Sequence, residues 1–186
     1  MPVPTPVAPA SLRRTTDLPP GFLSLYFGVH AFVSRICLQI AVLGLNIILV
    51  AVLTQIFGRY VLNNSPTWTE ILSLVLVLYV TCLAAAVGVR DGRHIGMESL
   101  LNYAPPVVHK WADIIVCVGM IVFGASMAYG GTVLAQAMMA YVNPGLPISQ
   151  GWSYVPLAVG GVLIVLFSIE RIVARVLGLE VTPSWH

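Results

Sequence analysis

Three cysteines, Cys37, Cys82 and Cys117, are the residues in this sequence best suited to metal or redox chemistry. Three thiolates can hold a soft ion such as copper(I). However, no histidine or methionine shares their spacing, and the Cys-x-x-Cys pair of a disulfide oxidoreductase is absent. We therefore predict that the cysteines are small packing residues, and that the chain has no metal and no cofactor.

The polar segment from Arg90 to Glu98 is the second place where chemistry could occur. It contains His94, which could act as a general base beside Asp91 or Glu98. No nucleophile or set of metal ligands accompanies it, so we predict no catalytic residue. The glycines and Arg93 instead favour a basic turn between two helices.

A third polar segment runs from Arg59 to Glu70. Thr67 followed three residues later by Glu70 forms a capping box, which predicts the start of a helix. Trp68 is typical of the aromatic belt at a membrane surface. Glu70 can therefore cap a helix, pair with Arg59 or bind a partner protein, and we favour the ion pair.

Composition identifies the elements that must position these residues. Hydrophobic residues make up 58% of the 186, and charged residues only 9%, with a net charge of +2. Soluble domains carry about 25% charged residues. The chain is therefore predicted to be an integral membrane protein, and a nucleic-acid-binding surface is excluded because too few Lys and Arg are present.

Uncharged stretches of membrane-spanning length predict an all-α fold with four transmembrane helices. A span needs about 20 apolar residues, and the charges and the Asn143–Pro147 turn sequence divide the chain into spans at 36–58, 68–89, 112–140 and 152–172. The centres of these spans contain no ionisable residue. A proton relay or a haem site is therefore not predicted.

The segments outside the spans are predicted to be of three kinds. Residues 1–20 contain six prolines and few bulky apolar side chains, which indicates a disordered arm. Apolar residues recur at helical spacing over 22–33, which favours either an amphipathic helix in the interface or an extension of the first span. Residues 179–186 form a tail beyond the membrane domain, 21–178.

Orientation follows from the distribution of Lys and Arg between the two sides of the predicted bundle. One side has eight of these residues and the other has Arg59 alone. Because cytoplasmic loops of membrane proteins are enriched in Lys and Arg, both termini and the 90–111 loop are predicted to be cytoplasmic.

Polar and small residues inside the spans predict contacts between helices. Gln39, Asn46 and Thr54 lie on one stripe of the first span, where they can hydrogen-bond to neighbouring helices or line a substrate path; we favour the first interpretation. Small residues four apart on the third span, Gly124/Ala128 and Ser126/Gly130, permit close approach of another helix.

Several of these segments, taken in order, resemble the small permease subunit of a tripartite ATP-independent periplasmic (TRAP) transporter, of the DctQ-like family. The resemblance covers about residues 36–172. It depends on Arg59-Tyr60-Val61-Leu62-Asn63, Trp68-Thr69-Glu70, Ala84-Ala85-Ala86, Arg90 and His94-Ile95. Ile71 stands where the family often has a second acid, and Cys82-Leu83 where a glycine is common.

The resemblance implies a non-enzymatic inner-membrane subunit that enlarges the scaffold of a much larger permease. A periplasmic binding protein would capture the solute, often a carboxylate, and the large permease would import it using an ion gradient. Membrane lipid is the remaining expected partner. The candidate interface or structural residues are Arg59, Trp68, Glu70, Arg90, Arg93 and His94.

Two alternatives remain open at the level of the sequence. One is the small subunit of a tripartite tricarboxylate transporter, which is also a four-span partner protein. The other is a small membrane enzyme or redox protein that uses the 90–98 loop or the cysteines.

Overall fold

A computed structural model of the chain describes residues 13–14, 21–64, 67–91, 106–143, 147–177 and 179–180. Four long helices dominate it: α1 (Phe22–Tyr60), α2 (Thr67–Arg90), α3 (Pro106–Ala137) and α4 (Val155–Val176). A short 3₁₀ helix, Gln150–Ser153, precedes α4. Each of the four is long and apolar enough to cross a membrane, which confirms the predicted number of spans and the all-α class.

Apart from the start of α1, the helix ends differ from the predicted spans by one to six residues, for local reasons. α3 begins at Pro106 instead of 112 and ends at Ala137 instead of 140. Proline is favoured in the first turn because its missing N–H has no helical acceptor there. α1 ends two residues after Gly58, and Asn63 follows in the left-handed conformation with φ 49°, which asparagine tolerates at helix ends.

Residues 22–60 form one continuous helix of 39 residues. At about 1.5 Å per residue it is about 58 Å long, almost twice the thickness of a hydrocarbon core. The segment that the sequence left open, 22–33, is therefore the first part of α1. It extends the first span along the helix axis, and α1 must tilt or protrude where it crosses a membrane.

The four helices lie in a row and do not form a closed bundle. α1 packs on α2, α2 packs on α4, and α4 packs on α3, with no comparable contact between α1 and α3 in the described part of the chain. A small core of Ala86, Val89, Ile164 and Phe167 lies at the central contact of α2 with α4. The row therefore has two outer helices, α1 and α3, and two broad faces.

Small residues set the spacing between α3 and α4, as the Gly124/Ala128 pair predicts. A Cβ atom at Gly161 would lie 2.5 Å from the backbone nitrogen of Ala128 and 2.6 Å from the carbonyl oxygen of Gly124. The second predicted pair, Ser126 and Gly130, is exposed and faces away from α4. Glycine is thus required where the two backbones touch.

A hairpin turn joins α3 to α4. The amide of Gln150 donates to the Tyr141 carbonyl at 2.7 Å, and the amide of Asn143 donates to the Ile148 carbonyl at 3.0 Å. These bonds agree with the predicted turn, although Pro144, Gly145 and Leu146 lie outside the described residues. At the same end, Tyr79 Oη donates to the Trp152 carbonyl at 2.8 Å and connects α2 to the 3₁₀ helix.

Two short strands lie outside the helices. β1 (Arg13–Arg14) pairs in parallel with β2 (Leu179–Glu180). These two residues of the proline-rich arm thus form a strand, where the sequence predicted disorder throughout. The rest of the arm and residues 181–186 of the tail lie outside the described residues.

Candidate functional site

The candidate residues Arg59, Trp68 and Glu70 lie at one end of the helix row. Arg59 is in the last turn of α1, whereas Trp68 and Glu70 are in the first turn of α2. All three are exposed. Arg59 and Glu70 form no ion pair with each other among the described residues, so the favoured pairing is not found. Their side chains instead remain on the surface of this end.

Arg90 lies at the opposite end of the row, at the end of α2, and is only 2% exposed. Its guanidinium donates two hydrogen bonds to Glu170 of α4, from Nε to Oε2 at 3.1 Å and from Nη2 to Oε1 at 3.2 Å. Glu170 is completely buried. The pair has the two-pronged geometry that only arginine can offer to a carboxylate.

Two further contacts surround the ion pair, one within the end of α2 and one between α4 and α2. Asp91 Oδ1 lies 3.7 Å from Nη1 of Arg90, and Nη1 of Arg171 donates to the Val89 carbonyl at 3.3 Å. Two charged side chains of α4 thus contact consecutive residues of α2. Both hydrogen bonds of Arg90 can form only when α4 has one particular rotation about its axis and one axial position relative to α2. The cluster therefore specifies how the two central helices align.

The first turns of α1 cover this ionic cluster. Nδ1 of His30 donates to the Tyr26 carbonyl at 2.9 Å, and the imidazole packs edge-on against Phe167 at 6.1 Å between ring centroids. Phe167 is completely buried and lies one helical turn before Glu170. The extension of α1 therefore shields the ion pair, and water reaches neither charge in the described structure.

Sequence reasoning chose Arg90 but missed Glu170. Glu170 falls near the end of the fourth predicted span and Arg90 directly after the second, and these two ends lie on the same predicted side. Opposite charges at one level on two spans could have suggested the pair. Arg93 and His94 lie outside the described residues.

The polar stripe on α1 does not bind the neighbouring helices of this chain. Asn46 and Thr54 are exposed, and each donates to a carbonyl four residues earlier in α1, at 2.8 Å. Gln39 is exposed as well. The predicted bonds to neighbouring helices of the chain are therefore wrong, because the opposite side of α1 faces α2.

The three cysteines are buried, and none of them forms a disulfide within the described residues. Cys37, Cys82 and Cys117 lie on three different helices, and Cys82 packs against Gly160, where an added Cβ would come within 2.8 Å of the cysteine Cβ. Within the described ranges, no three His, Cys, Asp or Glu side chains are grouped to hold a metal ion. The interpretation of the cysteines as packing residues stays a prediction.

We expect simultaneous substitution of Cys37, Cys82 and Cys117 by alanine to leave the purified yield and the melting temperature of the chain nearly unchanged. Each substitution removes one buried sulfur, a change of about 1 kcal/mol or less per site. Yield and thermal unfolding in detergent measure the effect, with Gly160→Leu as a deliberately overpacked control. Loss of a bound metal, or a fall in melting temperature as large as that of the control, would contradict the prediction.

Comparison with known proteins shows the family to which the chain belongs. A profile of the DctQ component of tripartite ATP-independent periplasmic transporters matches residues 48–178, well over half of the sequence. The chain belongs to the DctQ family. It is therefore a TRAP transporter small permease subunit, as the ordered motifs predict, and the matched range includes Arg59, Glu70, Arg90 and Glu170.

Two relatives of this DctQ-family chain are named as small permease proteins. The sialic acid TRAP transporter small permease protein SiaQ of Vibrio cholerae is 27% identical over 135 residues, 72% of this chain and 78% of the relative. A putative TRAP transporter small permease protein of Haemophilus influenzae is 24% identical over 139 residues, 75% of this chain and 85% of the relative. With four apolar helices, these matches support a multi-pass protein of the inner membrane. They do not favour the tricarboxylate subunit or a membrane enzyme.

Proposed function

We propose that this chain is a non-catalytic subunit that binds the large permease of a TRAP-type importer and widens its scaffold. The solute, which we propose is a carboxylate, is delivered by a periplasmic binding protein and crosses through the large permease. The observation that carries the proposal is the family membership of the chain. The row of helices supports it, because a row leaves broad apolar faces for another membrane protein.

The ionic cluster also supports a scaffolding role. Charged side chains that move ions or solutes inside membranes face a cavity or change partners during the cycle. Here Arg90 and Glu170 bind each other, and helix packing covers both. These two charges therefore join α2 to α4, and we assign the path for the solute to the large permease.

Co-purification tests the proposed function. An affinity-tagged chain, produced together with the large permease and the binding protein, is expected to bring down the large permease at a ratio near one to one. Solute uptake should require all three proteins. A chain that purifies without the large permease and supports a reaction by itself would overturn the proposal.

We propose further that the ionic cluster and both termini lie on the cytoplasmic side, with the α1–α2 and α3–α4 connections in the periplasm. The eight-to-one distribution of Lys and Arg supports this orientation. The proline-rich arm and the tail, whose β1 and β2 residues pair, would then be cytoplasmic. Lipid would cover the apolar surfaces that the large permease leaves free.

Thiol labelling measures this orientation in a variant that lacks the three native cysteines. Cysteines introduced at Asn64 and Gly145 are expected to react with a membrane-impermeant maleimide added to intact cells. One introduced at Gly92 should react only after the cells are opened, because the reagent cannot cross the membrane. The reverse pattern would invert the topology.

We propose that Arg59, Trp68 and Glu70 form a periplasmic contact with the large permease or the binding protein, since all three are exposed at one end of the row. Arg93 and His94 are proposed as its cytoplasmic counterpart in the loop after α2.

Reversing either charge, Arg59→Glu or Glu70→Lys, is expected to lower uptake several-fold while the yield of the small subunit stays the same. The double reversal should not restore uptake, because the two side chains have no contact to exchange. Glu70→Gln is a matched control that keeps capping ability. Full rescue by the double reversal would mean that the two charges pair with each other in the assembled transporter.

A further inference from the structure

α1 has an inner face that packs against α2. The buried and half-buried positions on this face alternate in steps of three and four residues: Ser34, Cys37, Ala41, Gly44, Ile48 and Ala51. Such steps form the seam of two packed helices. Gly44 allows close approach, because a Cβ there would lie 2.6 Å from Cγ2 of Val80 on α2. The seam is thus filled by α2.

The opposite face of α1 has the same spacing but no partner in the described structure. Ile36, Gln39, Leu43, Asn46, Val50 and Leu53 follow one another in steps of three and four, and all are exposed. A shallow depression between Gln39 and Asn46 is lined by Leu38, Val42 and Leu43. We call Gln39, Leu43 and Asn46 the outer amide face.

Both carboxamides lie at membrane depth. Asn46 is at the middle of the uncharged stretch 36–58. Gln39 lies one heptad earlier, about 10.5 Å along the helix axis. Each is therefore inside a hydrocarbon core of about 30 Å when α1 spans the membrane.

Neither carboxamide satisfies its hydrogen bonds within the described structure. Asn46 uses one amide hydrogen to bond the Val42 carbonyl, which leaves its oxygen and the second hydrogen without a partner. Gln39 makes no hydrogen bond among the described residues. In contrast, the exposed hydroxyl of Thr54 already donates to a carbonyl of its own helix. Hydrocarbon cannot satisfy these remaining groups, and leaving them unpaired costs free energy.

We propose that the outer amide face binds a transmembrane helix of the large permease, and that this helix offers hydrogen-bonding side chains at two levels about 10.5 Å apart. The identity of the partner rests on the proposed function, whereas the position of the interface rests on the two carboxamides. α1 then lies between two helices, with α2 on its inner face and the permease helix on its outer face. The other outer helix, α3, then faces lipid or a protein surface other than this permease helix.

Photo-cross-linking locates the partner of this face. A photoreactive amino acid replaces Leu43 in the full chain, produced with its large permease and binding protein, and illumination in membranes is followed by mass analysis. We expect an adduct with the large permease from Leu43 and none from Phe123, an exposed apolar position on α3. An adduct of two small subunits would show that a second copy occupies the face and would overturn the proposal.

Substitution then tests the carboxamides themselves. The double variant Gln39→Leu/Asn46→Leu is expected to reduce the amount of large permease that co-purifies roughly tenfold, because each interhelical hydrogen bond contributes modestly and both are lost. Thr54→Val is the matched control and should retain wild-type binding, since its hydroxyl bonds within α1.

The outcomes separate this inference from the proposed function. If the unmodified chain brings down the large permease, but Leu43 cross-links only to lipid and the double variant binds normally, the outer amide face is not the interface and the proposed function stands. If the unmodified chain brings down no large permease, both fail.

Discussion

Glu170→Leu is expected to destabilise the folded subunit by about 3–5 kcal/mol, because it leaves the guanidinium of Arg90 buried without its two-pronged partner. Arg90→Met should cost a similar amount, since it removes the buried guanidinium that lies against the carboxylates of both Glu170 and Asp91. For a chain of this size the corresponding fall in melting temperature is on the order of 10 °C. Thermal unfolding in detergent measures it.

The double variant Arg90→Met/Glu170→Leu tests whether the single variants lose stability because one charge is left buried without the other. Replacing a buried ion pair by apolar side chains of similar volume is often neutral or stabilising, so we expect the double variant to recover most of the lost stability. Glu70→Gln is the control for removing an exposed carboxylate while keeping the capping box, and it should change stability by less than about 0.5 kcal/mol. If Glu170→Leu and Arg90→Met were each as stable as the unmodified chain, the burial of the ion pair would be contradicted. A stable double variant that no longer supports uptake would assign the charges a role in transport.

Gly131→Ala is expected to separate α3 from α4 and to lower the yield of folded subunit. A Cβ at Gly131 would lie 2.6 Å from the backbone nitrogen of Ala158 and 2.8 Å from Cβ of Leu157. Neither atom can move without shifting α4, and such overpacking typically costs about 1–3 kcal/mol. Size-exclusion profiles and thermal unfolding in detergent measure the loss.

The adjacent glycine is a matched control. A Cβ at Gly130 meets no atom within 4 Å, so Gly130→Ala should be neutral, or slightly stabilising because alanine favours the helix. Equal effects at Gly130 and Gly131 would show that helix propensity, and not contact between backbones, determines the result.

The number and approximate limits of the helices could be predicted from the sequence because the membrane constrains them so strongly. A backbone in hydrocarbon must satisfy its own hydrogen bonds, and about 20 residues are needed to cross. The 22–33 segment could not be resolved in this way. Its periodicity is the same whether the helix bends into the interface or continues straight, and only the structure shows a single helix from Phe22 to Tyr60.

The orientation of the polar stripe required the tertiary structure for a similar reason. Helical spacing places Gln39 and Asn46 on one side of α1, as the sequence predicts. Which side faces α2 is determined by the small residues of the inner face, which allow closer packing than the outer face. The stripe therefore points outward, away from the neighbours it was predicted to bind.

The sequence by itself determined that this is a four-span membrane protein of the TRAP small-permease type, because hydropathy, charge and short ordered motifs are local properties of the chain. The order α1–α2–α4–α3 and the pairing of Arg90 with Glu170 were decided only by the tertiary structure. These two residues are 80 positions apart. Charge complementarity shows that they can pair, but only the packing of α2 against α4 brings the two side chains together and closes them from water.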